Sequence, residues 1–209
     1  MRRVSVLVLI LFACFVSAAP GQQSAANSQN NWSEFLRTNM GRWNPYEHVL
    51  NVQNVKNLRR KWSFQSGGVF SSPAVVDGVV YVGSQYPQDR LYALKASTGV
   101  KLWSYRARYR VWSSPAVANG VVYVGAEDKN VYALNARTGT KVWNYTTGGK
   151  VDSSPSVVDG VVYIGSDDGN LYALNASTGA MLWNYATGYQ DSAPAVANGV
   201  VYVLSLIHI

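Results

Sequence analysis

Apolar and polar positions recur along this chain with a fixed period. The stretch Leu171-Tyr172-Ala173-Leu174-Asn175-Ala176-Ser177-Thr178-Gly179 runs on to Trp183. The same order appears at Leu91-Tyr92-Ala93-Leu94 with Thr98-Gly99 and Trp103, and at Val131-Tyr132-Ala133-Leu134 with Thr138-Gly139 and Trp143. Tyr92, Tyr132 and Tyr172 are 40 residues apart, as are Trp103, Trp143 and Trp183. A repeat of about 20–50 residues signals stacked or radial supersecondary units.

One period holds four strand signals. In the last full copy they cover residues 151–158, 161–165, 170–175 and 181–185, separated by Asp159-Gly160, Ser166-Asp167-Asp168-Gly169 and Ser177-Thr178-Gly179. Asp-Gly or Asn-Gly between β-branched and aromatic runs predicts a two-residue hairpin turn. Such pairs stand at Asp77-Gly78, Asn119-Gly120, Asp159-Gly160 and Asn198-Gly199. Gly99, Gly139 and Gly179 supply the positive φ of a second tight turn.

Four antiparallel strands per repeat predict an all-β protein, a β-propeller of four-stranded blades, incomplete at about three and a half blades. A linear β-solenoid is the rival, but its turns are shorter. The full blades are expected at residues 69–105, 111–145 and 151–185, with a fourth starting at Asp191 and losing the pattern after Tyr202-Val203. Val75, Val117, Val157 and Val196 then fall in blade cores. Lys61-Trp62-Ser63-Phe64 repeats the fourth-strand pattern without three strands before it, which suits a closing latch.

The flanks differ. Arg2-Arg3, an apolar run over residues 4–15 and the small residues Val16-Ser17-Ala18 predict a secretory signal over residues 1–18, cleaved before Ala19. The rival is an uncleaved anchor, although the run is shorter than the roughly 20 residues of a stable membrane helix. A secreted or periplasmic location follows. Cys14 is the only cysteine, in Leu11-Phe12-Ala13-Cys14, a poor match to a lipid-attachment box. Cleavage after Ala18 leaves no disulfide, so stability must come from packing. Residues 19–60 form a polar, aperiodic tether and an N-terminal cap, with a short packed turn at Trp32-Ser33-Glu34-Phe35-Leu36 and apolar positions at Val52, Val55 and Leu58. The propeller repeats are expected over residues 61–203, and residues 204–209 abandon the repeat as an unrelated sequence would, so the expectation is a fragment.

Composition changes little. Hydrophobic residues make up 48% and charged residues 14%, a globular balance. Of the net charge of +7, Arg2 and Arg3 account for two, leaving a mildly basic mature surface. Arg106, Arg108 and Arg110 alternate as on one strand face, but three charges make no nucleic-acid platform. Asp167-Asp168-Gly169-Asn170 has too few ligands for calcium and reads as a turn. No Ser/His/Asp set, phosphate loop or Cys/His cluster appears.

Comparison between copies locates a candidate site. The frame Ser-Ser-Pro is nearly fixed, but the residue before it varies as Phe70, Trp112, Asp152 and Asp191. The residue two positions earlier varies as Gly68, Arg110, Lys150 and Tyr189. First strands line a propeller's channel, so these positions should ring one mouth. Trp112, Arg110, Lys150 and Asp152 are the candidate ligand or cofactor residues. Trp112 offers a face for a planar ligand, and Arg110 and Lys150 offer charge for an anion. The loop over residues 84–90 is two residues longer than its counterparts.

Ala96, Thr98, Gly99 and Trp103, with Ala136, Thr138, Gly139 and Trp143 and with Ala176, Thr178, Gly179 and Trp183, resemble the tryptophan-docking motif of the pyrroloquinoline quinone (PQQ)-like repeat family, the propellers of quinoprotein alcohol dehydrogenases and their relatives. The resemblance covers residues 44–203, and the stretch from Asn54-Val55 through Leu58 to Trp62 looks like the family's first strand. It implies that each indole packs across a blade interface. Ser97, Arg137 and Ser177 fill a shorter gap between alanine and threonine, without the acidic residue often found there. Many members, including a lipoprotein of the outer-membrane barrel-assembly machinery, bind no quinone. The calcium set and aspartate base of the dehydrogenases map onto no residues here, and their vicinal cysteine pair is absent. The expected function is a non-catalytic binding or scaffolding module with a protein or small-molecule ligand at a propeller face. No cofactor, nucleic acid or stable transmembrane segment is expected. The alternative is a piece of a quinoprotein alcohol or sugar dehydrogenase that uses PQQ with calcium.

Overall fold

The computed structural model describes residues 12–13, 50–188 and 192–204. Most of the predicted signal, the lead-in up to residue 49 with Trp32–Leu36, Tyr189, Asp191 and residues 205–209 lie outside that set. A short strand β1 (Phe12–Ala13) comes first, then a 3-10 turn at Val55–Asn57. Blade 1 follows as β2 (Ala74–Val76), β3 (Val79–Gly83), β4 (Arg90–Lys95) and β5 (Lys101–Arg106). Blade 2 is β6 (Ala116–Ala118), β7 (Val121–Gly125), β8 (Asn130–Asn135) and β9 (Lys141–Thr146). Blade 3 is β10 (Ser156–Val158), β11 (Val161–Gly165), β12 (Asn170–Asn175) and β13 (Met181–Ala186). The last sheet holds β14 (Ala195–Ala197) and β15 (Val200–Tyr202), with β1 paired to β15.

Every full blade is an antiparallel meander in chain order. The Asp-Gly and Asn-Gly turns form as predicted, with both residues at positive φ, 49° and 75° at Asp77 and Gly78. That backbone twist matches the flanking strands. First strands β2, β6, β10 and β14 contact one another in succession, which puts them innermost.

The third strands carry an unbroken apolar run because neighbouring blades cover both faces. Leu171, Tyr172, Ala173 and Leu174 are all buried. The fourth strands face solvent except at tryptophan and, in β5 and β9, at Tyr105 and Tyr145, which pack on the next blade. Trp143 is 8% exposed between exposed neighbours. The core therefore forms as seams between blades. Val111, Val122, Tyr132 and Leu134 pack in the seam of blades 1 and 2, and Val151, Val162, Ile164 and Leu174 in that of blades 2 and 3.

Several expectations need correction. The first strand of blade 3 is Ser156–Val158, because Pro155 has no N–H to give a ladder. Val55–Asn57 is helical rather than a first strand: Asn51 Oδ1 accepts the N–H groups of Gln53 and Asn54 and starts a turn. Residues 61–64 form no regular strand, yet Trp62 and Phe64 dock on blade 1 as fourth-strand residues do. Arg106 ends β5, whereas Arg108 and Arg110 lie in the following connection, so the three share no strand face. Of the four valines placed in cores, Val117 is buried and the others are half-buried.

Candidate functional site

The fixed Ser-Ser-Pro frame has a physical reason. In blade 2 the first serine, Ser113, accepts the N–H of Gly125 at 3.1 Å through its hydroxyl, and Ser71 and Ser153 do the same for Gly83 and Gly165. The second serine ties blades together. The Ser72 N–H donates to Ser114 Oγ at 2.8 Å, and the Ser114 N–H donates to Ser154 Oγ at 2.8 Å. These bonds hold the approach to each first strand in place, and with it the variable residues just before the frame.

A second set of bonds fixes the same mouth. The N–H of Gln85, Glu127 and Asp167 donates to the carbonyl of Gly68, Arg110 and Lys150 respectively, at 3.0, 3.0 and 2.9 Å. The loop after each second strand is thus stitched to the approach of the neighbouring first strand. Asp168 reinforces this in blade 3: its carboxylate accepts from the Gly148 N–H, the Asn170 N–H and Nδ2, and the Tyr172 hydroxyl. Asp128 does likewise for Arg108, Asn130 and Tyr132 in blade 2. This is the work of the Asp167-Asp168-Gly169-Asn170 turn. Among the described residues no three His, Cys, Asp or Glu side chains converge to hold a metal ion.

Two of the four candidates come together around one carboxylate, and a third, Trp112, stacks on one of them. Lys150 Nζ donates to Glu127 Oε1 at 3.1 Å, and Arg110 lies 3.9 Å from the same oxygen. The Glu127 side chain is 7% exposed, whereas Arg110 and Lys150 are 45% and 52% exposed. The hydrogen bond to Glu127, and then its charge, raise the Lys150 ammonium above its ordinary value. Arg110 also stands over the Trp112 ring at 5.5 Å, and Phe70 meets that ring at 5.3 Å. The Trp112 Nε1–H donates to Gln85 Oε1 at 3.2 Å. Asp152 is half-buried, and its charge acts on Lys150 with that of Asp167.

An open depression of about 470 Å³ adjoins this group. Tyr86, Asp89, Arg108, Tyr109, Arg110, Glu127 and Lys150 line it. Glu127 was not among the candidates. Aligning the loops after the second strands would have found it, since Gln85, Glu127 and Asp167 all carry an acceptor at one position of the repeat.

Two of the three docking indoles, Trp103 and Trp143, lie against a glycine of the next blade. The Trp103 and Trp143 indoles lie where a Cβ on Gly139 or Gly179 would stand, at 2.6 and 2.7 Å, and Trp62 takes the same place at Gly99. Trp183 meets Tyr163 within its own blade, at 5.9 Å between rings.

A family profile described as outer membrane protein assembly factor BamB matches residues 25–206. The chain belongs to the PQQ-like propeller repeat family. The quinoprotein alcohol dehydrogenase PedH of Pseudomonas putida is 35% identical over 112 residues, which are 49% of this chain and 18% of that protein. A quinoprotein ethanol dehydrogenase of Pseudomonas aeruginosa is 38% identical over 95 residues, 41% of this chain and 15% of that one. Among solved structures, BamB from Moraxella catarrhalis superposes with a TM-score of 0.62 at 25% identity, covering 69% of this chain and 46% of its own. The quinohemoprotein alcohol dehydrogenase from Comamonas testosteroni gives 0.67 at 27% identity, over 79% and 28%. This PQQ-like chain thus spans less than a fifth of these curated relatives and less than half of these solved propellers. Among the described residues no helix is long and apolar enough to cross a membrane.

Proposed function

We propose that this PQQ-like propeller chain is an exported, non-catalytic binding or scaffolding module that engages a partner through the mouth bearing Arg110, Trp112, Lys150 and Asp152. On this reading residues 1–18 are a secretory signal, residues 19–60 a lead-in and cap, residues 61–203 the propeller repeats, and residues 204–209 lie outside the repeat. Cleavage before Ala19 removes β1 from the last sheet. The observation that carries the proposal is the character of the mouth. Arginine and aromatic residues gather on an open surface, with Phe70 69%, Tyr86 75% and Tyr109 61% exposed. Aromatic and arginine side chains supply most of the energy in protein–protein interfaces.

The dehydrogenase reading draws support from the quinoprotein relatives. Among the described residues no three His, Cys, Asp or Glu side chains converge, so no acidic set that would hold calcium beside a quinone can be named. Trp112 also offers little open face, because Phe70 and the Arg110 guanidinium already lie against it. The test is to add PQQ with calcium to the purified protein and measure a bound chromophore and dye-linked alcohol oxidation. Neither signal is expected. Stoichiometric uptake with turnover would overturn the binding-module reading.

A further inference from the structure

The partner's chemistry can be read from the depression beside the mouth; this inference rests on the binding-module reading above. We infer that the depression between the Tyr86–Asp89 loop and Lys150 binds an extended acidic segment of a partner protein. Its walls present three cations, Arg108, Arg110 and Lys150, all at least partly open to solvent. Glu127 sits nearly buried and holds Arg110 and Lys150 side by side, so it neutralises one charge and fixes the direction of the other. The Arg108 side chain makes no ion pair among the described residues; its backbone N–H donates to Asp128, and its charge acts on the Tyr132 phenol. The lining carries three cations against the carboxylates of Asp89 and Glu127, and the solvent-facing heads of Arg108, Arg110 and Lys150 suit carboxylates spaced along a chain.

Asp89 also lines the depression, with its Oδ1 buried beyond a partner's reach. Tyr86 and Tyr109 flank the depression as exposed amphipathic rings, which suit a chain lying across it.

The experiment is fluorescence anisotropy with a labelled peptide alternating glutamate, tyrosine and glycine, against the matched lysine and glutamine peptides. Free phosphate, free glutamate and anionic phosphatidylglycerol vesicles complete the set. The glutamate peptide is expected to bind and to weaken steeply with salt, while the other two peptides and the small anions do not bind. Arg108→Glu is expected to weaken it roughly tenfold, a loss typical of reversing one interfacial charge. Tyr109→Ala should weaken it less. Both positions are exposed, and an unchanged thermal midpoint will show that both variants fold. Equal binding of the glutamine peptide, indifference to Arg108→Glu, competition by free phosphate, or preference for vesicles would each overturn the inference. Such a failure leaves the quinone experiment unaffected, so the two readings fail separately.

Discussion

The Trp103 indole of blade 1 rests on Gly139 of blade 2, and its Nε1–H donates to the Ala136 carbonyl at 2.9 Å. That carbonyl also accepts the Tyr81 hydroxyl at 3.2 Å, so one acceptor receives two donors from the preceding blade. Blade 3 repeats the arrangement: Ala176 accepts from Trp143 at 2.9 Å and Tyr123 at 3.1 Å. The Trp62 indole makes the first of these bonds to Ala96 at 2.8 Å.

The paired donors predict coupling. Tyr123→Phe should cost about 1 kcal/mol and Trp143→Phe about 2 kcal/mol, because one donor remains on the carbonyl in each but the smaller ring also leaves a gap in the buried seam. The double variant should cost more than the two together, since it strands a buried acceptor. Urea unfolding of the three variants measures this, and strict additivity would refute it.

Gly139→Ala should destabilise more than either hydroxyl or indole loss. The residue sits at φ 73°, and a Cβ would stand 2.6 Å from Trp103 Cδ2. Left-handed strain and forced displacement of the ring together should cost about 2–3 kcal/mol. Gly120→Ala, also at positive φ but with open space around it, serves as the control for backbone strain alone.

The serine ladder predicts a role for Ser154. Removing its hydroxyl in Ser154→Ala leaves the buried Ser114 N–H without its acceptor, at a cost of about 1–3 kcal/mol. Amide hydrogen exchange at Ser114 should accelerate more than at Ser72, whose acceptor Ser114 Oγ remains.

Stability should fall at both ends of the pH scale through Asp168 and Tyr172. Burial opposes ionisation of Asp168, but bonds from Tyr172, Asn170 and Gly148 outweigh it and hold its carboxyl below 3.8. Its contribution is present above that ordinary value and is lost as the pH falls below it. Burial, and then the bond to Asp168, hold the Tyr172 phenol above 10.0. Its contribution is full below 10.0 and is lost as the pH rises beyond it. The thermal midpoint should be level between about pH 5 and pH 9 and fall on either side. Asp168→Asn should flatten the acid limb and Tyr172→Phe the alkaline limb.

Glu127→Gln should return the Lys150 ammonium toward 10.5, because the hydrogen bond to a full carboxylate is the first cause of its elevation. Titration of the Lys150 side-chain resonances by NMR reads the shift directly. An unchanged value would mean that Glu127 does not organise the mouth.

Much of the fold was legible. The hairpins at Asp77-Gly78 and its repeats form as predicted because two residues needing positive φ are specified locally. The tryptophan and glycine positions were legible because each repeat must present the same surface to the next. The first strands were predicted too long, since Pro155 and the hydroxyls of the Ser-Ser frame divert the backbone from the ladder. Of the candidate site, variation before the frame pointed to Arg110, Trp112 and Lys150. It did not point to Glu127, which lies in another loop and meets Lys150 only when blades 2 and 3 stand side by side.

The sequence by itself determined the repeat, its four strands and the residues that seal one blade to the next, because period, turn chemistry and apolar runs are local properties. Only the tertiary structure decided that Ala136 and Ala176 each take two donors, that the serines bond across blades, and that a nearly buried carboxylate gathers Arg110 and Lys150. Those relations join residues far apart along the chain. They depend on the angle and distance between neighbouring blades, which no short stretch encodes.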